Sequence, residues 1–95
     1  MMSLHTFIFE FRGGTYLFQV KGKSLDDAKV KWFYKIKHDI SKILYMGENS
    51  LKELKSEIKE ATFVPISNMN NVWCTSFTLK QGWCLLNIVK TEKLS

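Results

Sequence analysis

Two cysteines, two histidines and two adjacent aspartates are the residues here that could do chemistry. Each cysteine follows a tryptophan, Trp73-Cys74 and Trp83-Cys84, within NVWCTSFTLKQGWCLLNIVKT at residues 71–91. Cys84 with His5 or His38 would make a nucleophilic pair, since such partners meet in space rather than in sequence. Two cysteines can also make a disulfide, a redox pair or half a metal site, and Asp26-Asp27 can be read as paired carboxylates. The spacings do not support these readings. Cys74 and Cys84 are too far apart for a CxxC, and the two histidines complete no zinc pattern. Adjacent helical residues point apart, so Asp26 and Asp27 suit the first turn of a helix better than an acid–base pair. There is no P-loop, GxGxxG, HExxH or nucleophile elbow. The expectation is a chain with no catalytic residue, no metal and no cofactor. A small-molecule enzyme stands as a second alternative only.

The disulfide is excluded by strand geometry. Residues 72–91 read as a hairpin turning at Gln81-Gly82, which sets Leu79 opposite Cys84, Phe77 opposite Leu86, Thr75 opposite Ile88 and Trp73 near Lys90. Cys74 and Cys84 then lie on opposite faces. A three-residue turn would put them on one face but four residues apart, roughly 13 Å at the usual strand rise. A disulfide needs Cα atoms within about 7 Å. Both registers leave the thiols free, and buried cysteine acting as a small hydrophobe is the plainer reading.

The elements around these residues follow from periodicity. In TFIFEFRGGTYLFQVKG, two alternating runs flank Gly13-Gly14, a pair suited to a tight turn. That turn sets Phe11 opposite Tyr16, Phe9 opposite Phe18 and Phe7 opposite Val20, all on one face. Ser24 is an N-cap for a first helix whose stripe is Leu25, Ala28, Trp32 and Ile36. Val30, Phe33, Tyr34 and Ile40 widen its apolar arc beyond what one sheet can cover. Residues 38–47 read equally as continuing helix or packed loop. Ser50 with Glu53 is a capping box for a second helix with the stripe Leu51, Leu54, Ile58 and Ala61. Residues 62–71, with Pro65, read as a loop or short edge strand, and Asn68, Asn70 and Asn71 supply turn chemistry. The expected architecture is one α+β domain over residues 1–95. It is two-layered and ββααββ in order, with a four-stranded antiparallel sheet and both helices on one face.

Composition supports a folded domain: of 95 residues, 45% are hydrophobic and 14% aromatic. No apolar run could cross a membrane, and the N-terminal stretch lacks the features of a signal peptide. A reducing cytoplasmic setting is expected. The net charge of +5 lies within residues 12–42, where Arg12 and seven lysines face three aspartates. Lys21, Lys23, Lys31 and Lys35 could track phosphates, with Tyr34 or Trp83 stacking on bases. That nucleic-acid-binding reading of the basic 12–42 segment is the first alternative. A single arginine and the lack of any RRM, KH or helix-turn-helix pattern weigh against it.

Protein binding accounts for more of the sequence. On helix 1, Val30 and Tyr34 lie beside Lys31 and Lys35, a partner-binding set suited to an acidic protein surface. The sheet face turned from the helices would expose Ile8, Leu17, Trp83, Leu85 and Val89, which suits a homodimer interface. The alternative is that residues 62–71 or the tail fold over one of these patches. The function expected is that of a non-enzymatic protein–protein interaction module.

FIFEFRGGTYLFQV, KSLDDAKVKW and NVWCTSFTLKQGWCLLNIVKT together resemble a family of small uncharacterised bacterial proteins. That family shares a Gly-Gly hairpin, a helix opening Ser-Leu-x-x-Ala and a closing Trp-Cys hairpin. The resemblance covers most of the chain except residues 38–62. It implies a bacterial cytosolic protein and brings no activity. In size and layout the chain is also similar to immunity proteins of bacterial toxin systems. Its basic charge departs from the acidic surface usual among nuclease inhibitors.

Overall fold

The computed structural model describes residues 2–39, 47–66 and 69–91. The phenylalanine-rich alternation at the N-terminus forms β1 (Ser3–Phe11) and β2 (Gly14–Gly22), joined by a two-residue turn. Helices α1 (Leu25–Asp39) and α2 (Glu48–Glu60) follow, then β3 (Val64–Pro65), β4 (Val72–Leu79) and β5 (Gly82–Thr91). The class is α+β, as expected. The antiparallel sheet has five strands rather than four, in the order β2-β1-β5-β4-β3, and the chain reads ββααβββ. The added strand is two residues long: Val64 pairs with Cys74 and Pro65 with Trp73 at the sheet margin. Pro65 holds Val64 extended, and a proline is tolerated on an edge strand. A strand so short leaves no alternation to read.

Both hairpins turn one residue earlier than the sequence suggests. In the first, Arg12 and Gly13 make the turn, at φ 50° and 81°. Two positive φ values in succession match the twist of the flanking strands. Phe11 therefore pairs with Gly14, Phe9 with Tyr16 and Phe7 with Phe18, which corrects the expected partners by two residues. In this register the end of the Tyr16 side chain folds back over Gly14, where a Cβ would lie 2.6 Å from the tyrosine hydroxyl. In the second hairpin the turn is Lys80-Gln81, and Gly82 opens β5 at φ 150°, which side chains rarely adopt. Leu79 pairs with Gly82, Phe77 with Cys84, Thr75 with Leu86 and Trp73 with Ile88. Each shift is two residues, so every side chain keeps its expected face.

Arg12 is the one side chain in the first turn held in the left-handed region. Arg12→Asn should raise stability by on the order of 1 kcal/mol, because asparagine tolerates that conformation and Asn-Gly is the preferred pair. Urea denaturation checks it. A midpoint that stays put or falls would mean that the turn is not seated on residues 12 and 13.

One face of the sheet carries the core. His5, Phe7, Phe9 and Phe11 of β1, Val20 of β2, Thr75, Phe77 and Leu79 of β4, and Cys84, Leu86 and Ile88 of β5 are buried there. Both helices cover that face, α1 through Ala28, Trp32, Phe33 and Ile36, and α2 through Leu54 and Ile58. Trp32 is the keystone. It stacks on Phe7 at 5.3 Å and meets Phe9 edge-on at 5.3 Å. Such pairs each contribute about 0.5–1.5 kcal/mol beyond the area they bury.

The start of α1 behaves as its sequence implies. The Ser24 hydroxyl accepts from the Asp27 N–H at 3.1 Å, and the Asp27 carboxylate accepts from the Lys23 N–H at 2.9 Å. The start of α2 does not. Gly47 caps it without a side-chain hydrogen bond, and Ser50 is a buried residue inside the first turns rather than the cap. Asn71 sits at φ 62°, the turn role expected of it. The readings that fall on Ile40, residues 41–46, Asn68 and the tail beyond residue 91 lie outside the described residues. No described helix is long and apolar enough to cross a membrane.

Candidate interaction surfaces

The reactive side chains do not converge. Cys84 is fully buried beside Phe11 and Phe77, and burial, with the nearby Glu57 carboxylate, pushes its thiol pKa up to about 12. His5 lies on the same face of the sheet but at the other end of β1, six positions from Phe11, which is about 20 Å along a strand. Its imidazole is held below the usual range by burial, against the Ser3 carbonyl 3.1 Å from Nδ1. His38 is exposed on the last turn of α1. The Cys84–His5 and Cys84–His38 pairs weighed from sequence are therefore not assembled. Both thiols are free, with Cys74 on the sheet face opposite Cys84. Among the described residues no three His, Cys, Asp or Glu side chains gather as a metal site would require.

Two surfaces remain. The first is the outer face of the sheet. Strand alternation turns every even residue of β1 and every odd residue of β2 and β5 away from the helices. One lateral row, Leu17–Ile8–Asn87–Cys74–Val64, crosses all five strands. The rows beside it are Thr15–Glu10–Leu85–Ser76 and Gln19–Thr6–Val89–Val72. Glu10 and Lys21 are the only charged residues among these outward strand positions. Leu17, Trp83 and Val64 are about 60% exposed, at 61%, 58% and 58%. The five residues expected to form a dimer interface, Ile8, Leu17, Trp83, Leu85 and Val89, all lie on this one face. Cys74, Val72 and Val64 belong there too. Strand parity already set Cys74 on the face opposite Cys84, whereas Val64 could not be seen without β3.

The margins of this sheet are guarded in part against strand addition. Along β2, the Lys31 ammonium donates to the Lys21 carbonyl at 2.9 Å, and Lys35 approaches the Gln19 carbonyl at 3.5 Å and the Phe18 ring at 5.9 Å. Lys31 also pairs with Asp27 at 3.1 Å. At the opposite margin, β3 is two residues long and ends in Pro65. Lysines, short strands and proline are the devices that keep sheet edges from pairing with other chains.

The second surface is the groove between α1 and α2, with a volume of about 520 Å³. Val30 and Tyr34 are exposed on its wall, Phe33 and Ile58 form its apolar base, and Lys29, Lys55 and Lys59 stand around it with Asp26. The partner-binding set proposed from sequence is thus divided. Val30 and Tyr34 face this groove, while Lys31 and Lys35 reach round α1 to β2. The lysines that line the groove are Lys29, Lys55 and Lys59, which the sequence alone did not single out.

Two of the four lysines proposed to track phosphates are engaged within the chain. Lys31 and Lys35 contact the chain's own carbonyls. The two candidate stacking residues are on different layers, Tyr34 in the helical groove and Trp83 on the outer sheet face. Comparison of the chain with protein-family models, with curated proteins and with solved structures returned no match.

Proposed function

We propose that the protein is a binding module that works by protein–protein contact rather than by catalysis, and that its outer sheet face pairs with a second copy of the chain. The observation that carries this reading is the near-absence of charge from a face that spans five strands. Loss of charge from the centre of a patch distinguishes interfaces from ordinary surface. The helices are richer in charge, with Lys and Asp along α1 and Lys and Glu along α2. The dimensions also fit. Four strands of about nine residues at ~4.8 Å spacing, with the two-residue β3 beside them, give a face of roughly 600 Å² per copy. Two such faces bury roughly 1,200 Å², the lower end of the range of stable specific interfaces. Lysines along β2 and the proline-ended β3 favour pairing face to face over edge to edge, and two sheets packed in this way form a sandwich. A single self-complementary patch suffices for two-fold symmetry. The cytoplasm suits a protein with an unpaired thiol on its binding face.

Cys74 is a built-in reporter for this contact, since it sits in the middle row of the face. Its alkylation rate should fall as protein concentration rises from nanomolar to tens of micromolar. Cys84 should stay unreactive in the folded protein, and denatured protein should take up two equivalents of label. A Cys74 rate that ignores concentration would count against the sheet face as the contact.

A further inference from the structure

We propose that the α1–α2 groove is a docking site for an acidic segment of a partner protein, one that inserts a bulky apolar side chain between flanking carboxylates. This rests on the reading of the chain as a protein-binding module but uses a different surface. The groove lies in the helical layer, away from the outer sheet face, so the two contacts can fail independently.

Charge complementarity selects the occupant. Three lysine ammonium groups surround an apolar base, and among the described residues the only carboxylate lining the groove is Asp26. Lys29 is unusual among the lysines, with a side chain only 10% exposed. Its ammonium lies 4.9 Å from the centre of the Phe63 ring and 3.2 Å from Asp26, whose own side chain is 90% exposed. A mostly buried cation is therefore balanced by a solvated acid at the groove's mouth. That acid occupies the position an incoming carboxylate would take. Lys55 lies 6.0 Å from the centres of both the Phe33 and Tyr34 rings, so the cations and the apolar wall form one site. Tyr34 and Val30 remain 46% and 57% exposed, which leaves apolar surface for an anchor to cover. An acidic stretch without an anchor would leave that surface wet. An apolar stretch without acids would leave the lysines unanswered.

The test is a fluorescence-anisotropy titration of the whole protein with a labelled Glu-Glu-Leu-Phe-Glu-Glu peptide. Saturable binding with a sub-millimolar Kd is expected, weakening as salt rises. Lys55→Glu with Lys59→Glu should weaken it at least about tenfold, because like charges then face the peptide. Tyr34→Ser, which keeps every charge, should also weaken it. Lys21→Glu with Lys23→Glu changes the net charge equally on the far side of α1 and should leave affinity within about twofold. The proposal is overturned if the peptide fails to bind. It is also overturned if a Gln-substituted or Ser-anchored peptide binds as well, if the Lys21/Lys23 pair matters as much as Lys55/Lys59, or if octanoate fills the groove while no peptide does.

Discussion

Phe9→Ala is expected to remove about 3–5 kcal/mol of stability, the usual cost of emptying a buried aromatic site. Phe9 is fully buried on β1, the strand that joins the two hairpins through its pairing with β5. Its ring stacks on Phe11 at 5.8 Å and meets Trp32 at 5.3 Å. Truncation would leave Trp32 without its edge partner and open a cavity where sheet and helix meet. A domain of this size has about 5–14 kcal/mol in all, so the variant would be marginal at best. Urea denaturation of both proteins measures the difference. A loss below about 1 kcal/mol would show that this face of β1 is not the core.

Leu17→Lys should act on assembly and leave the fold alone. Leu17 is exposed on β2, opposite Ile8 in the row that crosses the sheet. In a face-to-face dimer both copies would bury the new ammonium without a counter-charge, which typically costs 3–5 kcal/mol. Dimer affinity should fall by at least about 100-fold, while the urea midpoint of the monomer shifts little. Unchanged self-association in the variant would place the contact elsewhere.

Face assignment was the part of the fold most legible in the sequence. Phe7, Phe9, Phe11, Phe77, Leu86 and Ile88 fell on the core side, and Ile8, Leu17, Trp83, Leu85 and Val89 on the outer side, because alternation has a period of two. A register error of two residues preserves that parity, so the faces were right although the pairings were not. Pairing depended on which residues occupied the turns. Glycines drew the turns to 13–14 and 81–82, but the positive φ pair falls on Arg12 and Gly13, and an arginine in that conformation is not a turn signal a local pattern reveals. The strand Val64–Pro65 was legible only as one of two readings, a loop or a short edge strand, since two residues cannot show a period. The wide apolar arc of α1 correctly marked Val30 and Tyr34 as surplus to the core. Lys31 and Lys35 do not share the groove with them, because Val30 and Lys31 are adjacent in sequence yet point about 100° apart round a helix. Finding Lys29, Lys55 and Lys59 required knowing how α2 lies against α1, which neither helix encodes alone.

Self-association through the outer sheet face is the central claim, and sedimentation velocity of the unmodified protein from about 1 to 100 µM tests it most directly. A single species of twice the chain mass at the upper concentrations, shifted to monomer by Leu17→Lys, is the predicted result. A wild-type protein that sediments as a monomer across the whole range would contradict it.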